Sequence, residues 1–593
     1  MMTTENWPRW PASFPRAPKS PLARRLLFWV LPWLALSLTV FANWLYLAVL
    51  DPTRVGWLLD GNDHGQGAIG LAAYLRAPPA WPSLHSSMLM APQGLSVALT
   101  DSNPLLALLL RPFAAILPVG IQYFGLWLFA CILLHTGFAA ALVRRYAPGP
   151  VATWIGAALM TLMPVLLARF GHVNLCAQWL ILWALWIFID ARRSRQPGWW
   201  VAIIVSAALI HPYLLVMVAA IWASAMLRQV VQAPDIKARI AMISDVAMVV
   251  APLLIIPQLL GLVGDPVMAT GSYGGFGVSL DGPWNPNEPV YSALLPAKSV
   301  DHSRGLEGMN YLGAGLLALA LVALVWRLRH RTARPDGQSL GRLIWLVPAF
   351  TAITVIAVMP HLIWRGQIIA TLPMPDIMPK LLDPIRAAGR MFWPVDYVIA
   401  LVVIATACRM RFGIFVLGAA LLLQIVDLAP LFAYSRGSSI AATDPRAYRR
   451  TVDPRWDALI ASADMIEFEP PQPYRDLALL EELTWRAVVA GRPVRYFYAS
   501  REPVLVKHRL EADSFAFATG QRDSRHLYVL LDGWAPPSLA GLVTKIDGVS
   551  IIAPGAASRP LSGPASSALP GPRPSSPARA DRDRGHGTSD PGP

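Results

Sequence analysis

The sequence predicts a mainly α-helical, polytopic membrane protein of about eleven spans with a small external α/β domain towards its C-terminus. Three observations carry that expectation. The 593-residue chain is 55% hydrophobic and 15% charged, with a mean hydropathy of +0.45, whereas a soluble domain carries about 25% charged residues. Apolar runs recur from Leu26 to Ala433, and arginines cluster in every second connection between them. The formal net charge of +14 therefore reads as an orientation signal and not as a nucleic-acid footprint, because no basic stripe runs through a soluble domain. Cys131, Cys176 and Cys408 all lie in or beside apolar runs, which suits packing residues and gives no disulfide framework or CxxC metal site.

The first apolar run, Leu26 to Leu50, follows Arg16, Lys19, Arg24 and Arg25. That start resembles a signal peptide, but about 25 apolar residues can cross a ~30 Å core and no small-residue cleavage site follows. Residues 1–25 are predicted to form a cytoplasmic tail ahead of an uncleaved anchor. Further spans are predicted near 121–143, 151–168, 176–190, 199–211, 213–227, 243–263, 311–326, 343–360, 393–408 and 413–433. The basic connections hold Arg144 and Arg145; Arg192, Arg193 and Arg195; Arg228, Lys237 and Arg239; Arg327, Arg329, Arg331 and Arg334; and Arg409 and Arg411. Their alternation places those loops in the cytoplasm. Several spans between Val151 and Leu227 are short, which predicts tight hairpins or helices that stop below the outer surface.

The run Leu105 to Leu117 contains Arg111 and is bounded by Pro104 and Pro118, the pattern of a helix lying at the interface. The remaining connections are then external, and three are long: 51–120, 264–310 and 361–392. Together they complete a membrane domain over 26–433. Residues 434–555 mix polar and apolar positions, with helical patterns at Trp456 to Met465 and Asp476 to Val489. Strand-like runs follow at Val494 to Tyr498, His526 to Leu531 and Val549 to Ile552, which predicts a small external α/β domain. Residues 556–593 are rich in Pro, Ser, Ala, Arg and Gly, and are predicted to be disordered.

Chemistry concentrates in the external loops. Leu59-Asp60-Gly61-Asn62-Asp63-His64-Gly65-Gln66 puts two carboxylates and an imidazole within five residues, where a carboxylate could act as a general base or help to hold a divalent cation. The plainer alternative is an Asp/Gly/Asn turn. Asp101 precedes the interfacial helix and reads as its N-terminal cap. Arg169, His172, Asn174, Gln178, His211 and Tyr213 fall at external turns, so the same face carries histidines, an arginine and amides. Arg386 and Arg390 are four apart. On one helical face, two guanidinium groups suit a lipid phosphate or pyrophosphate, with snorkelling to lipid headgroups in general as the alternative. Gln424 and Asp427 lie in the last span, where hydrogen bonding between helices is the economical role despite the functional default for ionisable groups in membranes.

Asp63-His64-x-Gln66, Thr100-Asp101-Ser102-x-Pro104-Leu105-Leu106, Gly171-His172, Glu307-Gly308-x-Asn310-Tyr311-Leu312-Gly313 and Arg386-x-x-Gly389-Arg390-x-x-Trp393-Pro394 are similar, in that order, to motifs of an uncharacterised bacterial membrane family placed near the GT-C glycosyltransferases. The resemblance spans roughly 26–555. It implies a bacterial plasma (inner) membrane enzyme that transfers a sugar from a polyprenyl-phosphate donor to a glycan, lipid or protein acceptor at the outer face. Asp63 or Asp60 would be the catalytic carboxylate; many GT-C enzymes have an adjacent acidic pair, whereas here two residues separate the two. His64, Gln66, Asp101, Arg169, His172 and His211 would contact substrate, and Arg386 and Arg390 the lipid phosphate. If a divalent cation, Mg or Mn, serves, Asp63, Asp101 and His172 would be its ligands. The rivals are a lipid or solute transporter, which would want polar groups at mid-membrane or internal repeats, and a non-catalytic envelope-biosynthesis protein that keeps the fold.

Overall fold

The computed structural model describes residues 20–269, 271–298, 307–330 and 338–556. The predicted tail up to residue 19, Arg331, Arg334 and the predicted disorder beyond residue 556 lie outside them. All eleven predicted runs fall on helices, but their lengths differ. Among the described residues Pro21–Trp44, Phe124–Val143, Pro212–Gln232, Ile236–Leu259 and Ala388–Ala407 are long and apolar enough to cross a membrane. Gly413–Asp427 and Ala429–Ser438, bent by 47°, make a sixth if taken as one span. Pro150–Thr161, Val173–Ile189, Pro197–Ile210 and Arg342–Val358 are shorter. Prolines at or near the starts of several helices set these limits, since proline suits a first turn and disfavours helix in the residue before it.

The Ile236–Leu259 helix explains why water is an unsuitable solvent. Ile240, Ile243, Met248, Leu254 and Ile255 are all exposed while Val249 and Ile256 face the protein, so an apolar face this continuous needs lipid or another cover. Three of the basic connections meet at one end of the bundle. Arg145 and Arg193 both pair with Asp190 at 3.3 Å, Arg228 donates to Ser194 Oγ at 2.8 Å, and Arg342 donates to the Ile189 carbonyl at 2.6 Å. The loops that carry the candidate site lie at the opposite end.

Inside the bundle Gln424 and Asp427 tie helices together, as the economical sequence reading had it. Gln424 donates to the Leu162 and Leu312 carbonyls at 3.0 and 3.1 Å and accepts from the Leu316 N–H at 3.1 Å. Asp427 accepts from Tyr311 OH at 2.7 Å, the Ala314 N–H at 2.8 Å, the Leu294 N–H at 3.3 Å and the Ser292 hydroxyl. The Pro104–Leu110 helix is capped by Asn103, whose Oδ1 accepts the Leu106 N–H at 3.2 Å. Asp101 is therefore not the cap; it lies two residues upstream of the capping position. Phe113, Ile116 and Val119 beyond that helix are exposed, in keeping with an interfacial position.

The C-terminal region forms a four-stranded sheet ordered Ile466–Glu469, Leu527–Leu530, Val549–Ile552, Val543–Ile546; the first two run parallel and the others antiparallel. The Arg455–Ser462, Leu477–Val489 and Val504–Ala518 helices accompany it. The expected strand Val494 to Tyr498 is not a sheet member. Apart from one bridge to Ile466, its backbone turns to the membrane domain: Val494 N–H donates to Met88 O at 2.9 Å, and Ala91 N–H donates to Val494 O at 3.0 Å. The chain continues along that border, with Ser500 N–H on Leu99 O at 3.0 Å and Val504 N–H on Pro266 O at 2.9 Å. The two domains are thus sewn together beside the candidate site.

Candidate functional site

Residues 59–66 turn on Gly61, whose φ of +82° is a left-handed value that favours glycine. The turn ends in the His64–Arg76 helix, where Gly65, Gly67 and Gly70 admit close neighbours; a Cβ at Gly70 would lie 2.0 Å from Thr100 Oγ1. Asp63 is half-buried. Its Oδ1 accepts from Gln66 Nε2 and from Tyr498 OH, both at 3.2 Å. Its Oδ2 lies 4.0 Å from His172 Nδ1. Asp60 is exposed and 3.8 Å from His64 Nε2. His64 is buried, with Nδ1 3.2 Å from the Gly171 carbonyl. Burial lowers its pKa, outweighing the opposite pull of Asp60.

On the other side of His172 stands Glu307. His172 Nε2 is 3.3 Å from its Oε1, and Arg169 Nη1 is 3.3 Å from its Oε2. Arg390 forks onto that same oxygen through Nε at 2.6 Å and through Nη2. Burial alone would push the Glu307 carboxyl up, but Arg390 and Arg169 hold it well below the usual carboxylate range. The loops that meet here are close-packed: Asn310 Nδ2 donates to Gly308 O at 2.9 Å and Gly389 O at 3.1 Å, and a Cβ on Gly389 would sit 2.7 Å from the Gly308 Cα.

Arg386 and Arg390 do not share a helical face as expected. They lie in and after separate 3-10 turns, Asp383–Ile385 and Ala388–Phe392, with Ala387 out of helical geometry between them. Arg390 is committed to Glu307. Arg386 lies 5.9 Å from the Phe276 ring centroid and, among the described residues, within ion-pair distance of no carboxylate. Arg501 of the C-terminal domain reaches the same loop, donating to the Asp383 carbonyl at 2.9 Å.

Asp101 adopts φ +54°, and its carbonyl accepts from Asn174 Nδ2 at 2.7 Å. Burial raises its carboxyl pKa, with Asp63 adding to the rise while His172, Arg390 and Arg386 oppose it. His211 acts as a helix cap, its Nδ1 accepting the Tyr213 N–H at 3.2 Å. Gln178 is occupied by Val165 O at 2.7 Å and Tyr397 OH at 2.5 Å. The ligand set Asp63, Asp101 and His172 is not assembled: among the described residues no three His, Cys, Asp or Glu side chains form a group able to hold a metal. The second nitrogen of His172 faces Glu307, which is itself drawn towards arginines.

Four participants escape the sequence reading. Glu307 lies within a recognised motif but reads there without a role. Glu481, Tyr498 and Arg501 belong to the distant C-terminal domain, and nothing in their local sequence shows that Leu477–Val489 and its following segment pack on the loop at 59–66. Glu481 Oε2 accepts the Gly61 N–H at 3.0 Å.

Fold and site together define a helical protein with membrane-spanning helices, whose α/β C-terminal domain helps to close an acidic and basic site at one end of the bundle. The chain belongs to the family described as Domain of unknown function (DUF6311), whose family model matches residues 34–429. The DUF6311 C-terminal domain matches residues 455–554. No curated protein matches the chain. Among solved structures, the archaeal oligosaccharyltransferase AglB from Archaeoglobus fulgidus, in complex with an inhibitory peptide and a dolichol-phosphate, is similar over 80% of this chain at 11% identity and a TM-score of 0.34. The match covers 64% of that protein, and a likeness this remote fixes no residue correspondence.

Proposed function

We propose that this protein is a membrane glycosyltransferase that moves a sugar from a polyprenyl-phosphate donor to an acceptor at the outer face of a bacterial plasma membrane. The observation that carries the reading is Asp63: two donors fix one carboxylate oxygen, the other faces His172, and an arginine without a carboxylate partner among the described residues, Arg386, stands on an adjoining loop. The eleven-span arrangement with a cytoplasmic N-terminus is part of the proposal. It rests on the alternation of basic connections along the sequence and on the three that meet at the bundle end opposite the site.

In this reading the acceptor hydroxyl gives its proton to Asp63 as its oxygen bonds to the anomeric carbon. The bond from that carbon to the phosphate oxygen breaks, and the phosphate departs with the electron pair. A positioned base contributes about 10²–10⁴-fold to such a step. Arg386 binds the departing phosphate and stabilises its growing charge, for which one well-placed donor contributes about 10²–10³-fold. Arg390 instead holds Glu307, which with Asp63 brackets the His172 ring. Asp101 and His172 would meet sugar hydroxyls. No step is routed through a metal ion.

The test compares lipid-linked sugars and outer glycans in cells carrying wild type, Asp63→Asn, Asp60→Asn or Arg386→Ala at matched protein levels. Accumulation of a polyprenyl-phosphate sugar and loss of one glycan residue in the Asp63 variant supports the reading. Wild-type behaviour of every variant, alongside a phenotype for deletion, would transfer the assignment to a transporter or scaffold.

A further inference from the structure

We propose that Glu481, on the C-terminal domain, is a positioning residue for the carboxylate loop, setting the backbone of residues 60–63 and so the aim of Asp63. The proposal rests on the reading of Asp63 given above and extends it to the domain whose contribution was illegible in sequence.

The Leu477–Val489 helix carries adjacent glutamates, both buried, that face different surroundings. Glu482 turns into its own domain, accepting the Arg450 N–H at 2.7 Å and the Thr451 N–H at 3.1 Å, with Arg486 at 3.5 Å. It is a carboxylate surrounded by donors. Glu481 turns out of the domain onto the loop. Its Oε2 takes the Gly61 N–H at 3.0 Å, while Oε1 is buried with no hydrogen-bond partner among the described residues. No described cation pairs with it; the charged groups that face it are Asp60 and Asp63.

The packing is specific to glycine. A Cβ on Gly65 would lie 2.2 Å from Glu481 Cδ and within 2.5 Å of both carboxyl oxygens, so the first turn of the His64–Arg76 helix seats this carboxyl only because residue 65 has no side chain. The C-terminal domain therefore holds the loop at two points: Glu481 on the Gly61 amide and Tyr498 on Asp63. Burial, reinforced by Asp60 and Asp63 and opposed by the Gly61 N–H, pushes the Glu481 carboxyl up to about 9. Near neutral pH it is an uncharged acid, which can sit beside two carboxylates without a counter-ion. Ionised, it would be a third negative charge against the same loop.

Glutamine reproduces the shape and neutrality of that acid, and alanine removes it. The experiment is hydrogen exchange of the peptide spanning residues 57–66 in the full-length protein in lipid nanodiscs, corrected for the intrinsic rate at each pH, combined with the lipid-sugar comparison above. Glu481→Gln is expected to match wild type near neutral pH in both measurements, and to keep its protection above about pH 9, where wild type loses it. Glu481→Ala is expected to speed exchange at the Gly61 amide about tenfold or more, as opening of a local contact does, and to accumulate the same lipid-linked sugar as Asp63→Asn.

The proposal is overturned if Glu481→Gln exchanges as freely as Glu481→Ala, if Glu481→Ala leaves the Gly61 amide protected, or if the alkaline loss persists in Glu481→Gln. Should alanine unfold the whole domain, the pH comparison between wild type and glutamine still decides. The two readings fail separately. A loop loosened by Glu481→Ala in a protein whose Asp63→Asn variant behaves as wild type keeps the positioning role and removes the transferase reading.

Discussion

Two carboxylates at opposite extremes of satisfaction, Asp427 and Asp63, distinguish scaffold from candidate site. Asp427 is completely buried and accepts from two hydroxyls, Tyr311 and Ser292, and two backbone amides, those of Leu294 and Ala314. All its bonding capacity is spent within the protein. Asp63 is half-buried, has two neutral donors on one oxygen, and turns the other towards His172 at a distance too long for a hydrogen bond. A buried polar network that is fully satisfied fixes one arrangement of the chain; a carboxylate with spare capacity can accept a proton or bind a hydroxyl from outside. The same contrast separates Glu482 from Glu481, and Arg390 from Arg386.

The largest effect is expected where satisfaction is complete. Asp427→Ala would leave the Ser292 hydroxyl and the Ala314 amide without an acceptor and the Tyr311 hydroxyl with only its 3.4 Å contact to Ser292 Oγ, while the Leu294 amide keeps Ser292 Oγ at 3.2 Å, for a loss of about 4 kcal/mol at the order of 1–3 kcal/mol for each stranded group and partial relaxation. The check is thermal melting in detergent together with membrane abundance. Normal melting would show that the network is dispensable and blur the contrast.

Asp63→Asn should do the opposite. It keeps the shape and alters a partly exposed group, so melting should move by no more than about 0.5 kcal/mol, while transfer falls at least about 100-fold, or ~2.7 kcal/mol in the barrier. A variant that loses stability and activity together would move Asp63 into the scaffold class.

Most of the scaffold was legible from the sequence, and the reason is physical. Apolar runs are local in the chain, so the helices on which they fall follow from composition and order alone. The loop at 59–66 was legible for the same reason, because Asp60, Asp63, His64 and Gln66 are neighbours. The illegible part depends on long-range pairing. Tyr498 reaches Asp63 across 435 positions, and Glu481 reaches Gly61 across 420. Spacing also misled: Arg386 and Arg390 are four apart, but Pro384 and the turn at Ala387 replace the helix on which that spacing would align them. Asp101 looked like a cap because it precedes a helix, while Asn103, next to Pro104, takes that position.

Glu307 stands between the two extremes: charged and buried like a scaffold group, but in contact with His172. Glu307→Gln would leave Arg169 and Arg390 with a neutral partner, at a cost of about 2–3 kcal/mol, because removing one member of a buried pair leaves the other charge uncompensated. The pH dependence has a definite sign. The folded-state pKa of this carboxyl is depressed below the ordinary 4.5 of a glutamate, so its contribution is present above that value and is lost as pH falls through the lower folded-state value. Acid titration of the melting temperature should therefore show a decline below about 4.5 in wild type that is weaker in Glu307→Gln. Equal declines would place the acid-sensitive group elsewhere.

The smallest effect should come from Gly65→Ala, which changes no polar group. The added methyl would meet the Glu481 carboxyl at 2.2 Å, and the far end of that side chain can yield, so overpacking should cost about 1–2 kcal/mol at most. The consequence falls on the loop, because moving the carboxyl releases the Gly61 amide. Exchange at Gly61 should rise while amides of the Val549–Ile552 strand stay protected. Combining Gly65→Ala with Glu481→Ala sharpens the test: once the carboxyl is gone the methyl has room, and the double variant should melt no lower than Glu481→Ala alone. If the two costs add, Gly65 and Glu481 act independently and the glycine is required for some other contact of its helix.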